Sequence, residues 1–141
     1  MPAMTADEVQ AFLAAEFPQA ATEFRVDRIS DDGATLRMPV AHRHLRPGGT
    51  VSGPALFALA DVGFYVALLG RIGPVALAVT TGVSIDFMRK PAADRDLLAE
   101  ARILKLGRVL AVGDVLIRSD GTEAPVARAS LTYSLPPKAA G

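Results

Sequence analysis

One carboxylate in this chain stands out by its surroundings. Residues 52–69, SGPALFALADVGFYVALL, are almost wholly apolar, yet Asp61 sits near their middle. An ionised carboxylate among apolar side chains is costly unless it is paired, hydrogen-bonded or wet. Either Asp61 is satisfied by backbone or hydroxyl groups within a core, or it faces a crevice and does acid–base or nucleophilic chemistry. The run opens Ser52-Gly53-Pro54. Serine is a favoured helix N-cap, and proline fits the first turn of a helix, where its missing N–H costs little. The three residues do not make a serine-hydrolase elbow, because no strand runs directly into Ser52 and the pattern places no histidine partner. His42 and His44 flank Arg43, but two histidines without cysteine or a placed carboxylate are a poor ligand set, and no metal is expected. The chain has no cysteine at all, which excludes disulfides, thiolate nucleophiles and thiolate metal sites. Neither a P-loop nor a dinucleotide fingerprint is present.

The elements that must hold Asp61 follow from periodicity. Residues 52–69 are long enough for about four to five helical turns at ~1.5 Å per residue, and their apolar side chains fall on every face, as in a helix enclosed by other structure. Gly70 and the Gly73-Pro74 pair end it. A membrane span is disfavoured by the central Asp61, by the marginal length and by the strands that follow, which offer the helix another place to bury. Upstream, Thr5 and Glu8 have capping-box spacing at the start of TADEVQAFLAAEF, and Val9, Phe12, Leu13 and Phe17 form a narrow apolar stripe that Pro18 closes. This predicts a cover helix within residues 1–20. Two runs of period two, 23–30 and 34–40, meet at Asp31-Asp32-Gly33, a hairpin signal. AHRHLRPGGT then reads as an irregular loop feeding the apolar helix, a good place for a site.

Four alternating segments follow the helix, at 78–88, 97–105, 109–118 and 125–133, and residues 136–141 read as a frayed tail. In the first, Val79, Thr81, Val83, Ile85 and Phe87 share a face. In the others the inward positions are often small: Ala99, Ala101, Ala111, Gly113, Ala127 and Ala129. Such a stripe leaves room for a helix to lie close on a curved sheet. The order helix, two strands, buried helix, four strands is an α+β pattern, and residues 1–141 form one domain in which a curved antiparallel sheet wraps one long central helix.

With 15 basic and 15 acidic residues the net charge is zero, and no basic stripe marks a nucleic-acid or anionic-membrane partner. Zero net charge and an apolar content of 50% suit a defined oligomer. The N-terminal MPAMTADEVQ lacks a basic segment followed by an apolar one, so a cytoplasmic protein is expected.

At the loop-to-helix junction, HLRPGGTVSGPALFALAD (44–61) resembles the central motif of hot-dog-fold acyl-CoA thioesterases of the PaaI-like branch: Asn, any two residues, Gly, Thr, a hydrophobic residue, His-Gly-Gly, then an acid eight residues on. The resemblance continues through TTGVSIDFMRKPA (80–92) and KLGRVLAVGDVLI (105–117) and covers nearly the whole chain. It implies a hot-dog fold and a dimer, or a dimer of dimers, with sites between subunits. It implies that Asp61 is the catalytic general base or nucleophile and that the Gly53 backbone N–H polarises the thioester carbonyl. Pro54 takes the place of the motif's second glycine, Ser52 that of its histidine and Arg46 that of its asparagine. Arg46 and Ser52 are then expected to position substrate or water, Thr81 and Ser84 to lie near the substrate on the third strand, and Arg89, Lys90 and Arg108 to meet the phosphates of coenzyme A. The implied reaction is hydrolysis of an acyl-CoA thioester, with no cofactor beyond the coenzyme A carried by the substrate. A non-catalytic acyl-CoA binder and, less favoured, an enoyl-thioester hydratase stand as alternatives. The hydratase lacks its usual Asp and His pair, since neither His42 nor His44 has a helix-linked position.

Overall fold

A computed structural model describes residues 1–137. The chain opens with α1 (Ala6–Glu16), whose N-terminus carries the predicted capping box: Glu8 N–H donates to Thr5 Oγ1 at 3.2 Å and Thr5 N–H to Glu8 Oε1 at 3.0 Å. Pro18 ends this helix as expected, but it does more. It starts a second short helix, α2 (Pro18–Glu23), after a break at Phe17 (φ −143°, ψ 63°). A proline forbids continuation from the preceding turn, but its fixed φ suits a new first turn, so one proline ends α1 and founds α2.

The hairpin β1 (Arg25–Ile29) and β2 (Gly33–Met38) follows, turning at the expected Asp-Asp-Gly. The stretch expected to be an irregular loop is ordered. A one-turn 3₁₀ helix at His42–His44 leads into a small hairpin, β3 (Leu45–Arg46) and β4 (Thr50–Val51). Gly49 N–H donates to Arg46 C=O at 3.0 Å, and Gly48 has φ 96°. Pro47 followed by a positive-φ glycine is the signature of a type II turn, so Arg-Pro-Gly-Gly closes this hairpin by itself.

The central helix α3 runs Gly53–Ile72, three residues beyond the expected end, and then come β5 (Val79–Phe87), β6 (Leu97–Leu106), β7 (Leu110–Ser119) and β8 (Ala127–Ser134). The large strands form one antiparallel sheet in the order β1-β2-β6-β7-β8-β5. The sheet wraps α3 as the small-residue stripe predicts: Ala99, Ala101, Ala111, Ala127 and Ala129 are all buried. A Cβ at Gly63 would stand 3.3 Å from that of Ala99, and one at Gly113 would run into the Phe64 ring and the Arg102 carbonyl. Gly113 is therefore the socket for Phe64, a fully buried side chain whose burial contributes about 1.5–3 kcal/mol. Although α3 is long and apolar enough to cross a membrane, two-thirds of its most apolar window is buried by the rest of the chain. At the far side of the sheet, Arg37 of β2 bonds Asp27, Asp96 and Asp120 at 2.9–3.0 Å and ties β1, the β5–β6 link and the end of β7 together. The expected tail at 136–141 lies, from residue 138 on, outside the described residues.

Candidate active site

Asp61 sits in the third turn of α3, half-buried, and the sheet supplies it with two hydroxyls. Thr80 Oγ1 donates to Asp61 Oδ1 at 2.5 Å, and the Tyr133 hydroxyl lies 2.8 Å from the same oxygen and 2.9 Å from the Asp61 carbonyl. Thr80 and Tyr133 are opposite each other in the β5–β8 register, which is why both converge on one acid. Burial, reinforced by the neighbouring Asp61 carboxylate, pushes the Tyr133 phenol well above its usual pKa, so it remains a proton donor. Among the described residues no hydrogen bond reaches Oδ2. The carboxylate is thus held by one oxygen, Oδ1.

Neither hydroxyl partner was legible in the sequence. The alternation 79, 81, 83, 85, 87 points to Thr81, but the ladder slips between Thr80 and Gly82. A bulge of this kind re-aims the side chains on one side of it. Thr80 therefore faces the acid, while Thr81 is exposed and donates instead to the Thr132 carbonyl at 3.3 Å. The signal that could have exposed the slip is Gly82, since glycine inside a strand pattern often marks a bulge. Tyr133 fell on the inward face of the last strand but looked like ordinary core.

Around Asp61 lies a cavity of about 250 Å³, lined by Glu16, Phe17, Val62, Tyr65, Ala76, Ala78, Val79, Thr80 and Tyr133. Its aromatic wall is continuous. Phe17 meets Tyr65 edge-on with centroids 6.2 Å apart, and Tyr65 stacks on Tyr133 at 6.3 Å. The Tyr65 hydroxyl is anchored on the Ala76 carbonyl at 3.2 Å.

The other end of the motif lies elsewhere. Ser52 is the N-cap of α3, its Oγ accepting from Ala55 N–H at 3.3 Å, while Leu56 N–H donates to the Ser52 carbonyl at 3.2 Å. Pro54 has no N–H. Of the first-turn donors that every helix leaves unpartnered, only Gly53 N–H then remains without an acceptor among the described residues. The helix dipole favours negative charge at that point. Gly53 opens onto a groove of about 630 Å³ whose lining includes Arg46, Thr50, Phe87, Met88, Arg89 and Lys90, with three cations and no acid. Arg46 is exposed at the end of β3, and Arg89 donates to the Pro125 carbonyl at 2.8 Å.

Of the expected residues, this groove gathers Gly53, Arg46, Arg89 and Lys90, with Ser52 beside it as a cap. Ser84 is exposed on the opposite face of β5, and Arg108 lies exposed in the β6–β7 turn, so neither lines this groove or the Asp61 cavity. Within one chain Gly53 and Asp61 are also apart. They are eight residues distant on one helix, about 12 Å along its axis, and open into separate cavities.

The junction that carries Gly53 is braced from behind. His44 is buried, and its Nδ1 accepts from Ala41 N–H at 2.8 Å, which leaves the proton on Nε2 facing Glu23 in a very short contact. The His44 carbonyl in turn accepts from Ser52 N–H at 2.8 Å. Burial tends to raise the Glu23 pKa, but hydrogen bonds from His44 and Arg43 outweigh it and hold the carboxyl below its ordinary value. His44 is thus a fastening of the loop, with an acid partner from α2. Among the described residues no cluster of three metal-ligating side chains occurs.

Comparison with known proteins agrees with the fold. Residues 48–126 match the model of the thioesterase superfamily. A Pseudomonas aeruginosa protein assigned as an esterase is 33% identical over 101 residues, which cover 72% of this chain and 74% of that protein. Among solved structures, a protein of Silicibacter sp. assigned as a thioesterase is 55% identical, covers 97% of this chain and 95% of its own, and superposes with a TM-score of 0.90. The phenylacetic acid degradation protein PaaI of Thermus thermophilus is 29% identical over 88% of this chain and 97% of its own, with a TM-score of 0.69. A sheet wrapped around one helix, a half-buried acid in that helix and these likenesses lead to one assignment: the chain is a hot-dog-fold protein of the thioesterase superfamily.

Proposed function

We propose that the protein hydrolyses acyl-CoA thioesters at a composite site built by two copies of the chain. Family membership and the likeness to thioesterases support thioester hydrolysis in general. The observation that carries the finer reading is the contrast between the two cavities. The groove at Gly53 holds three cations and suits the phosphates of coenzyme A; the cavity at Asp61 is small and mainly apolar and suits an acyl group.

The two cavities adjoin opposite ends of one strand. Val79 and Thr80, at the start of β5, line the Asp61 cavity, while Phe87, at its end, lines the Gly53 groove. β5 is also a sheet edge, with exposed Val79 and Phe87, and an uncovered edge is a template for pairing. Two copies pairing antiparallel along β5 about a two-fold axis would set the start of one β5 beside the end of the other. Each Asp61 would then meet the partner copy's oxyanion donor, Gly53. Such a dimer has two equivalent sites.

In that site Asp61 Oδ2 acts on water as a general base, and the water oxygen attacks the thioester carbonyl carbon. Gly53 N–H holds the resulting oxyanion, a contribution of about 2–4 kcal/mol for one donor. Collapse expels the coenzyme A thiolate, which recovers the proton from Asp61, leaving free acid and thiol. Should Asp61 instead attack directly, it would expel the thiolate and form an anhydride, and water attack on the Asp61 carbonyl carbon of that anhydride would leave one Asp61 oxygen in the product acid, which single-turnover labelling in ¹⁸O-water detects.

Complementation tests the proposal. Asp61→Asn and Gly53→Val should each slow thiol release from acyl-CoA by about a hundredfold or more. Co-expressed, they should recover about a quarter of wild-type activity, since half of randomly paired dimers are mixed and each mixed dimer keeps one of two sites whole. Silent mixtures, with mixed dimers demonstrated by affinity tags, would place the reaction within one chain and sink the two-copy site. Tight acyl-CoA binding without thiol release by the wild type would favour a binder.

A further inference from the structure

We infer that Glu16 and Phe17, at the break between α1 and α2, are the specificity-determining residues for the acyl group. This inference rests on the acyl-CoA hydrolase reading above and names the substrate class of that same site. Both residues line the Asp61 cavity, and both, like Tyr133 of β8, lie outside the matched family region at 48–126. The rest of the wall comes from α3, the link after it and the sheet, so this break contributes a side of the cavity that the shared core does not.

Phe17 is held on both sides. Its N–H donates to the Leu13 carbonyl at 2.7 Å, and its carbonyl accepts from Ala20 and Ala21 at 3.0 and 3.1 Å. The ring stands edge-on to Tyr65, which is fixed by its own bond to Ala76. These bonds fix the backbone that carries the ring, and the edge contact with Tyr65 sets the ring against the cavity while its outer side is exposed. The cavity's volume of about 250 Å³ is below the ~300–1,000 Å³ of pockets that take a whole drug-sized ligand, so it suits a compact acyl group and Phe17 sets the far limit.

Glu16 sets the charge. With Asp61 it gives the cavity two carboxylates, and no lysine or arginine lines it. Burial raises the Tyr65 phenol pKa, and the nearby Glu16 charge acts in the same direction. An acyl group ending in its own carboxylate would be repelled there without a counter-ion. The preferred substrate is therefore a compact, uncharged acyl-CoA, with succinyl- and glutaryl-CoA refused.

The test is kcat/KM for thiol release across acetyl-, butyryl-, hexanoyl-, octanoyl- and decanoyl-CoA, with succinyl- and glutaryl-CoA beside them. Phe17→Ala should raise the ratio of octanoyl to butyryl turnover about tenfold or more, since one methylene in an apolar pocket is worth ~10–200-fold. Phe17→Trp should move the ratio the other way, and this second variant serves if the alanine protein does not fold. Glu16→Lys should raise succinyl relative to butyryl turnover by a similar factor while leaving the chain-length profile of neutral substrates in place. Profiles parallel to wild type in all three variants would overturn the inference while the hydrolase reading stands. A wild-type protein inert toward every thioester would instead overturn the hydrolase reading, and this one with it.

Discussion

Asp61 is held by Thr80 and Tyr133 through a single oxygen, and that division of labour can be tested atom by atom. Asp61→Asn keeps the shape and should lower kcat by about 10²–10⁴, the range for loss of a general base, with thermal stability close to wild type. Tyr133→Phe removes one donor and leaves Thr80. The carboxylate then loses its orientation but keeps its identity, so kcat should fall about tenfold with KM little changed, and stability should drop by about 1 kcal/mol for the lost hydrogen bond. A variant that alters KM alone would show that Tyr133 serves binding and not the acid. Gly53→Ala is informative for the opposite reason. Its methyl would meet Phe87 at 3.4 Å, an ordinary contact, so the protein should fold, and slower turnover would report intrusion into the groove.

At the scale of elements, the bracing of the α3 entrance by Glu23 and His44 has a pH signature. The folded Glu23 carboxyl has a lowered pKa, so its contribution is present above the ordinary value of 4.5 and is lost as pH falls through the lowered one. Thermal melts from about pH 7 down to about pH 3 should show Glu23→Gln less stable than wild type at neutral pH, with the deficit shrinking below the ordinary carboxylate value. A constant deficit would mean that Glu23 acts through shape and not charge. The same region shows where reading the sequence stops. α3, the β1–β2 hairpin and the four later strands were legible because period and turn residues are local properties. Asp61 drew attention as the one acid of an apolar run, and Gly53 only through the resemblance of its motif. The double use of Pro18, the slip at Gly82 and the pairing of Glu23 with His44 were not, because each depends on which partner a neighbouring element presents. Arg-Pro-Gly-Gly is an intermediate case: its turn chemistry was present in the sequence, but the two-residue strands beside it are too short to show a period.

For the whole molecule, the composite site we propose would make the oligomer part of the chemistry. Light scattering should give a mass of about 30 kDa, twice the 14.8 kDa chain, or a multiple of it, and activity per chain should fall on dilution below the dissociation constant. A monomer with undiminished activity would contradict this. Packing between helix and sheet supplies an independent check on the fold. Gly113→Ala would set a methyl against the Phe64 ring and the Arg102 carbonyl, so stability should fall by about 1–3 kcal/mol or more in chemical denaturation. A neutral result would mean that the sheet yields locally to accommodate the methyl.

The order in which the chain is made gives α3 one more consequence. The helix is complete at Ile72, but four of the six strands that enclose it come later, and β5, the next strand made, must wait for β8, the last, to find a neighbour in the sheet. At ~5–20 residues per second the ribosome needs roughly 3–12 s to deliver the 62 residues from Ile72 to Ser134. Throughout that interval a helix apolar on every side, long enough to resemble a membrane span, has only α1, α2 and the β1–β2 hairpin to cover it. Ribosome-stalled chains long enough to bring Ile72, but not β8, out of the exit tunnel should therefore be captured by chaperones that hold apolar segments, and chains carrying β8 clear of the tunnel should escape them.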